Sequence, residues 1–198
     1  TGGGFGSRGH VGPEFVILAW AAKRLGRAVK WTSSRTEAFM SDWQGRDMFM
    51  KGELGVTRDG SITAYKVQFL INNGAHTICY APSANASRSI TTIYDIPVFS
   101  LDLGVYLTTT TPVLPYRAAG RPETHYVLER LIDMAASKIK IDKISIRVNN
   151  LIRSDQMPFK TPLGITYDVG VFGLAIKQLA ELMDWNNFAK RKDTSVKF

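Results

Sequence analysis

Apolar residues run almost without interruption through "FVILAWAA", Phe15–Ala22, between Pro13-Glu14 on one side and Gly26 on the other. A proline at the first helical position, an acid beside the positive end of the helix dipole and a glycine stop predict a helix here. Apolar residues on nearly every face predict that it is buried. "RAVKWT" (Arg27–Thr32) then predicts a strand. Residues 47–73 predict a long hairpin about "TRDGS", because Asp59-Gly60 supplies the positive φ that tight hairpin turns require. Ile62, Ala64, Lys66 and Gln68 alternate with Thr63, Tyr65, Val67 and Phe69, the pattern of a strand with one more polar face. A loop-rich stretch from Asn72 to Ser89 follows, "YDIP" (Tyr94–Pro97) breaks the chain, and "VFSLDLGVYLTTTT" predicts another strand. Pro122 and Glu123 open a further helix with two stripes at helical spacing, Val127, Leu131, Ala135 and Leu128, Ile132, Ala136. Asp142 stands where it would cap a shorter helix through Leu151. The last helix is expected from about Gly170 to Trp185, after the extended connection "MPFKTPLGITYD". The pattern predicts an α/β (α+β) fold, a mixed sheet with packed helices.

Composition narrows this only a little. With 198 residues and 44% apolar content, the chain can form one substantial core or two small lobes. Its formal charge of +8 predicts attraction to something anionic. The charge is dispersed and no motif interleaves aromatic with basic residues, so a nucleic-acid partner is not expected. The densest stretch is "WNNFAKRKDTSVKF", with Lys190, Arg191, Lys192 and Lys197 against Asp193, and residues 186–198 are read as a basic, solvated or frayed tail. Cys79 is alone, which excludes an internal disulfide and a cysteine-held zinc or iron–sulfur site, so any redox centre is held by other means or by another chain. With no neighbouring base it reads as a packed or idle thiol. His10, His76 and His125 lack zinc-site spacing and are expected to be hydrogen-bonding or surface residues. The four tryptophans are expected in core or interface. No run approaches the roughly 20 apolar residues of a membrane span, and no signal peptide is read. The chain begins at Thr1 inside a glycine motif, which predicts a fragment or a processed or split subunit.

Candidate chemistry lies in two loops. "TGGGFGSRGH" strips side chains from the backbone before a helix start, so its N–H groups can approach an oxyanion or phosphate, and the helix adds its partial positive end. It is not a dinucleotide fingerprint, for no strand precedes it, nor a P-loop, for no Lys-Ser/Thr pair follows. In "PYRAAGRPE", Arg117 and Arg121 flank two alanines and a glycine, which suits a pocket floor with guanidinium groups held for an anion or for loop geometry; surface ion pairing is the other reading. Both loops lead into Gly/Arg-Pro-Glu helix starts. That echo reflects either two loops facing one site or the shared grammar of helix starts.

"GGGFGSR" before a helix, "LPYRAAGRPE" about a hundred residues later and "MPFKTPLGITYD" after it, in that order, resemble the molybdenum-cofactor-binding large subunit of the xanthine dehydrogenase and aldehyde oxidase family, nearest its bacterial carbon monoxide dehydrogenase-like branch. The resemblance covers residues 2–185 and implies the first cofactor-binding lobe of a much longer subunit, domain 1–185. It implies that Gly4, Phe5 and Gly6 of the first loop and Tyr116, Arg117 and Ala118 of the second lie against the cofactor, with Ala119 and Asn85 at the substrate pocket. The cofactor implied is molybdenum on a molybdopterin, in bacteria usually the cytosine dinucleotide form, so protein thiolates are not needed. The reaction implied is hydroxylation of an aldehyde or N-heterocycle with oxygen from water, electrons leaving through iron–sulfur clusters and FAD on partner chains of a cytoplasmic complex, periplasmic export remaining open.

The departures from the family pattern also carry information. Carbon monoxide oxidisers of the family have a copper-holding cysteine in the second loop, where this chain reads Arg117-Ala118-Ala119-Gly120-Arg121. Purine oxidisers have an acid where Gly9 stands and an arginine where Asn85 falls. The general-base glutamate belongs to the family's second lobe, and Glu14 and Glu123 are sufficiently explained as first-turn helix residues. Two other readings remain at this point: a non-catalytic orphaned lobe acting in assembly, and an unrelated phosphate- or nucleotide-binding module.

Overall fold

The computed structural model describes residues 3–195; Thr1, Gly2 and Lys197 lie outside the described residues. The elements in order are α1 (Pro13–Leu25), α2 (Arg35–Ser41), β1 (Met48–Val56), β2 (Ile62–Asn72), α3 (Ala81–Arg88), β3 (Phe99–Tyr106), α4 (Arg121–Ile139), α5 (Lys143–Asn150), β4 (Phe159–Lys160), β5 (Thr166–Tyr167), α6 (Phe172–Leu182) and α7 (Phe188–Ser195). The main sheet has the order β1-β2-β3, and β4 pairs antiparallel with β5. A parallel bridge between Gln44 and Val113 adds the mixed character expected of the α/β fold. The chain divides into two compact units, Thr1–Phe49, Phe69–Ser87 and Leu103–Thr124 in the first, and Met50–Gln68, Arg88–Asp102 and His125–Phe198 in the second.

The second unit contains most of the α4 core. Leu128, Ile132 and Ala136, the second of the two stripes, are fully buried with Tyr65, Val67, Ile146 and Ile152. The first stripe approaches the sheet at Gly52, where an added Cβ would lie 2.8 Å from Leu131 Cδ1 and 2.9 Å from Val127 Cγ1. The hairpin forms as expected, with Gly60 at φ +91°. Asn150 ties its turn to α5, donating from Nδ2 to Gly60 O at 2.8 Å and accepting from Ile62 N at 2.7 Å.

Asp142 caps α5, its Oδ2 accepting from Ile144 N at 2.9 Å and Ser145 N at 2.8 Å, while Oδ1 accepts from Trp185 Nε1 at 2.9 Å. Arg147 joins α5 to α4 through Glu129 (2.7 Å) and Asp133 (2.9 Å), and Lys143 reaches Asp133 at 2.9 Å. Partial burial opposes ionisation of Asp133 and Asp142. For Asp133 the hydrogen bonds from Lys143 and Arg147 outweigh it, and for Asp142 those from Trp185, Ser145 and Ile144 do, so both carboxyls are held below their ordinary value. The stability they add is therefore in place above about pH 4 and lost as the pH falls through their lowered values. Asp133→Asn should lower the melting temperature at pH 7, and its gap from the parent should narrow below about pH 4; a gap of constant size would assign the effect to packing instead.

Several expectations are corrected. Helix α1 forms between Pro13 and a left-handed Gly26, yet none of its residues is buried, with Phe15 66% and Trp20 65% exposed. An apolar surface is buried only where another element covers it, and among the described residues none does. "RAVKWT" joins no ladder: strand propensity without a paired neighbour leaves extended chain. The stretch read as loop, Asn72–Ser89, contains α3, and the extended connection contains β4 and β5. The tryptophans are not core, Trp20 and Trp31 being exposed and Trp43 and Trp185 partly so. Residues 188–195 are helical rather than frayed, and residues 188–192 are exposed, as a solvated segment is.

Candidate functional site

The first unit brings the two glycine-bearing loops together. Arg117 N donates to Phe5 O at 2.9 Å, the Phe5 and Tyr116 rings lie 6.3 Å apart, and a Cβ on Gly6 would meet Pro115 O at 2.6 Å. That contact admits only glycine, since Gly6 also has φ +92°. The first loop is a compact turn in which Arg8 N donates to Gly4 O at 3.0 Å and Gly9 N to Gly6 O at 3.4 Å. Arg8 pairs with Asp42 at 2.7 Å. Among the described residues the N–H groups of Phe5, Gly6 and Ser7 donate to no protein acceptor.

The second loop is held from its N-terminal side by a short ladder. Gln44 N donates to Pro112 O, Leu114 N to Gln44 O at 2.8 Å and Val113 N to Asn73 O. The chain then turns through three successive positive φ values, Ala118 at 72°, Ala119 at 29° and Gly120 at 87°. Two of these carry a Cβ, and backbone of this kind persists only where its surroundings enforce it. Arg121 Nη1 donates to Ala118 O at 3.4 Å and Nη2 to Asn85 Oδ1 at 3.5 Å. Asn85, on α3, is thus brought to the second loop, and Ala119 is buried. The Arg117 side chain is exposed and, among the described residues, has no hydrogen-bond or ion-pair partner.

Gly4, Phe5, Gly6, Tyr116, Arg117, Ala118, Ala119 and Asn85 therefore belong to one unit, around one pair of loops. Arg46 went unnoticed in the sequence. Its guanidinium donates to the carbonyl oxygens of Tyr116 and Arg117, reaches Glu123 Oε1 at 3.2 Å and lies 5.3 Å over the Tyr116 ring. A lone arginine after Trp43-Gln44-Gly45 has no periodicity or spacing to distinguish it from a surface charge. A cleft of about 600 Å³ elsewhere in this unit, walled by Arg8, His10, Trp31 and Trp43, is lined by none of the predicted site residues.

The gathered donors are amide N–H groups and a guanidinium. They suit an anionic, oxygen-bearing group rather than a bare cation, and among the described residues no three His, Cys, Asp or Glu side chains gather to hold a metal ion. A metal carried by its own organic ligand fits such a lining.

Comparison with known proteins agrees. Residues 1–151 match the family described as the molybdopterin cofactor-binding domain, and the chain belongs to that family, within the xanthine dehydrogenase and carbon monoxide dehydrogenase group of molybdenum-cofactor proteins. It is similar to the carbon monoxide dehydrogenase large chain of Hydrogenophaga pseudoflava, 35% identical over 189 residues, covering 93% of this chain and 24% of the relative. The nicotine 6-hydroxylase large subunit of Paenarthrobacter nicotinovorans is 30% identical over 202 residues, covering 100% of this chain and 24% of that protein. The crystal structure of quinoline 2-oxidoreductase from Pseudomonas putida 86 superposes with a TM-score of 0.92 at 26% identity, over 98% of this chain and 25% of that one. The chain spans about a quarter of the length of these relatives. Membership of this family removes the reading as an unrelated phosphate- or nucleotide-binding module. Among the described residues no helix is long and apolar enough to cross a membrane.

Proposed function

We propose that this chain is the first cofactor-binding lobe, residues 1–185, of a molybdenum hydroxylase large subunit that oxidises an N-heterocycle or an aldehyde. The single observation that carries this reading is the docking of the two loops through Arg117 N and Phe5 O at 2.9 Å, which brings the second loop against the turn that holds the unused amides of Phe5, Gly6 and Ser7. When bound, the molybdenum cofactor, in its cytosine dinucleotide form, supplies two-electron oxidation with oxygen drawn from water.

This chain's residues bind and orient. Gly4, Phe5, Gly6 and Ala118 offer backbone donors, Arg117 offers a cation, and Tyr116 closes one side against Phe5. Ala119 and Asn85 limit the substrate pocket. Glu123 is not a base here, because Arg46 engages its carboxylate; the general base belongs to a second lobe. The heterocycles named in the nicotine and quinoline relatives, and a second loop that reads Arg117-Ala118-Ala119-Gly120-Arg121 without a cysteine, favour an N-heterocycle over carbon monoxide. Iron–sulfur and flavin chains complete a cytoplasmic assembly.

The test is elemental mass spectrometry on the protein purified from its native source, with the masses of the chains that accompany it. Near-stoichiometric molybdenum together with a second lobe is the expected result. Absence of both would replace this reading with that of a non-catalytic lobe acting in assembly.

A further inference from the structure

We propose that Arg46, with Glu123 as its counter-charge, is the positioning residue that holds the second loop in its binding conformation. The proposal rests on the functional reading above only for what the loop binds; the latch itself is a property of this chain. Ala118 and Ala119 occupy left-handed backbone that residues with a Cβ disfavour. The two carbonyls immediately before them, of Tyr116 and Arg117, both accept from Arg46 Nη2. Bonds from an ionised donor are the strong ones. They fix those two carbonyls on one side of the chain and so fix the turn that follows.

Arg46 is itself constrained. Its own φ is +63°, and a Cβ on the preceding Gly45 would stand 3.0 Å from Tyr116 Cβ, so the segment is pressed directly against the loop it holds. Its second amino group, Nη1, is held by Glu123 Oε1, with the Glu123 side chain only 10% exposed. The other carboxylate oxygen, Glu123 Oε2, is buried without a hydrogen-bond partner. The charge of this carboxylate is thus balanced among the described residues by Arg46, and each residue of the pair needs the other. One planar fork serves three acceptors while stacking over a ring, which a lysine cannot do although it carries the same charge.

The test compares Arg46→Lys, Arg46→Met and Glu123→Gln with the parent in the full-length protein. It reads amide hydrogen exchange of residues 116–121 against the buried α4 segment 128–136, and the molybdenum retained after gel filtration. Arg46→Lys should speed exchange of 116–121 at least tenfold, leave 128–136 unchanged and reduce retained molybdenum. Glu123→Gln, which keeps an acceptor for Nη1, should have a smaller effect on the same peptides. Parent-like exchange of 116–121 in Arg46→Lys, or acceleration spread equally over 128–136, would overturn the proposal and make Arg46 a general stabiliser. If Arg46→Met does not fold, Arg46→Lys decides alone. A parent protein without molybdenum would count against the functional reading, while the exchange data still judge the latch.

Discussion

Gly120→Ala should destabilise the protein by about 4 kcal/mol or more, the range reserved for a backbone collision with no room to relax. At φ +87° the residue lies where a Cβ is already disfavoured. The new atom would also lie 2.1 Å from Pro82 O and 2.8 Å from Ala86 N, both main-chain atoms of α3. No rotamer change clears a main-chain oxygen, so either α3 or the second loop must shift. Thermal or urea unfolding measures the loss directly. Gly26→Ala is the control: it shares a left-handed φ of 64° but has nothing within 4 Å of an added Cβ, and should cost only about 1 kcal/mol. Similar losses at both positions would show that conformational strain, not the collision with α3, sets the effect.

Ile132→Ala should destabilise the protein by about 2–5 kcal/mol. Ile132 is wholly buried at the centre of the α4 stripe, between Leu128 and Ala136 one turn to either side, so the lost methyl groups leave a cavity that the packed core cannot close. Met134→Ala, two residues along the same helix but 61% exposed, should stay within about 0.5 kcal/mol. Equal effects would mean that α4 contributes through helix propensity rather than through its buried face.

The features legible in the sequence share a short range. Pro13 and Gly26 bound α1, Asp142 caps α5, Asp59-Gly60 turns the hairpin, and the Leu128 stripe marks the face of α4. Ser34 and Glu37 form a capping box on α2, a legible S-x-x-E signal that went unread. The two loops that dock on each other were legible as candidates as well, because glycine and alanine next to arginine make poor core and good backbone access.

The sequence alone settled the ends of α1, the cap of α5, the hairpin turn, the buried stripe of α4 and the family, because caps, turns and stripes act between residues a few positions apart. Tertiary structure alone decided which surfaces are covered and what holds the loops. The apolar α1 is exposed, "RAVKWT" joins no ladder, and Arg46 clamps carbonyls some seventy residues further along the chain. Burial, ladder pairing and a charged latch all require a partner brought close by the fold, and no spacing in the sequence states where that partner will be.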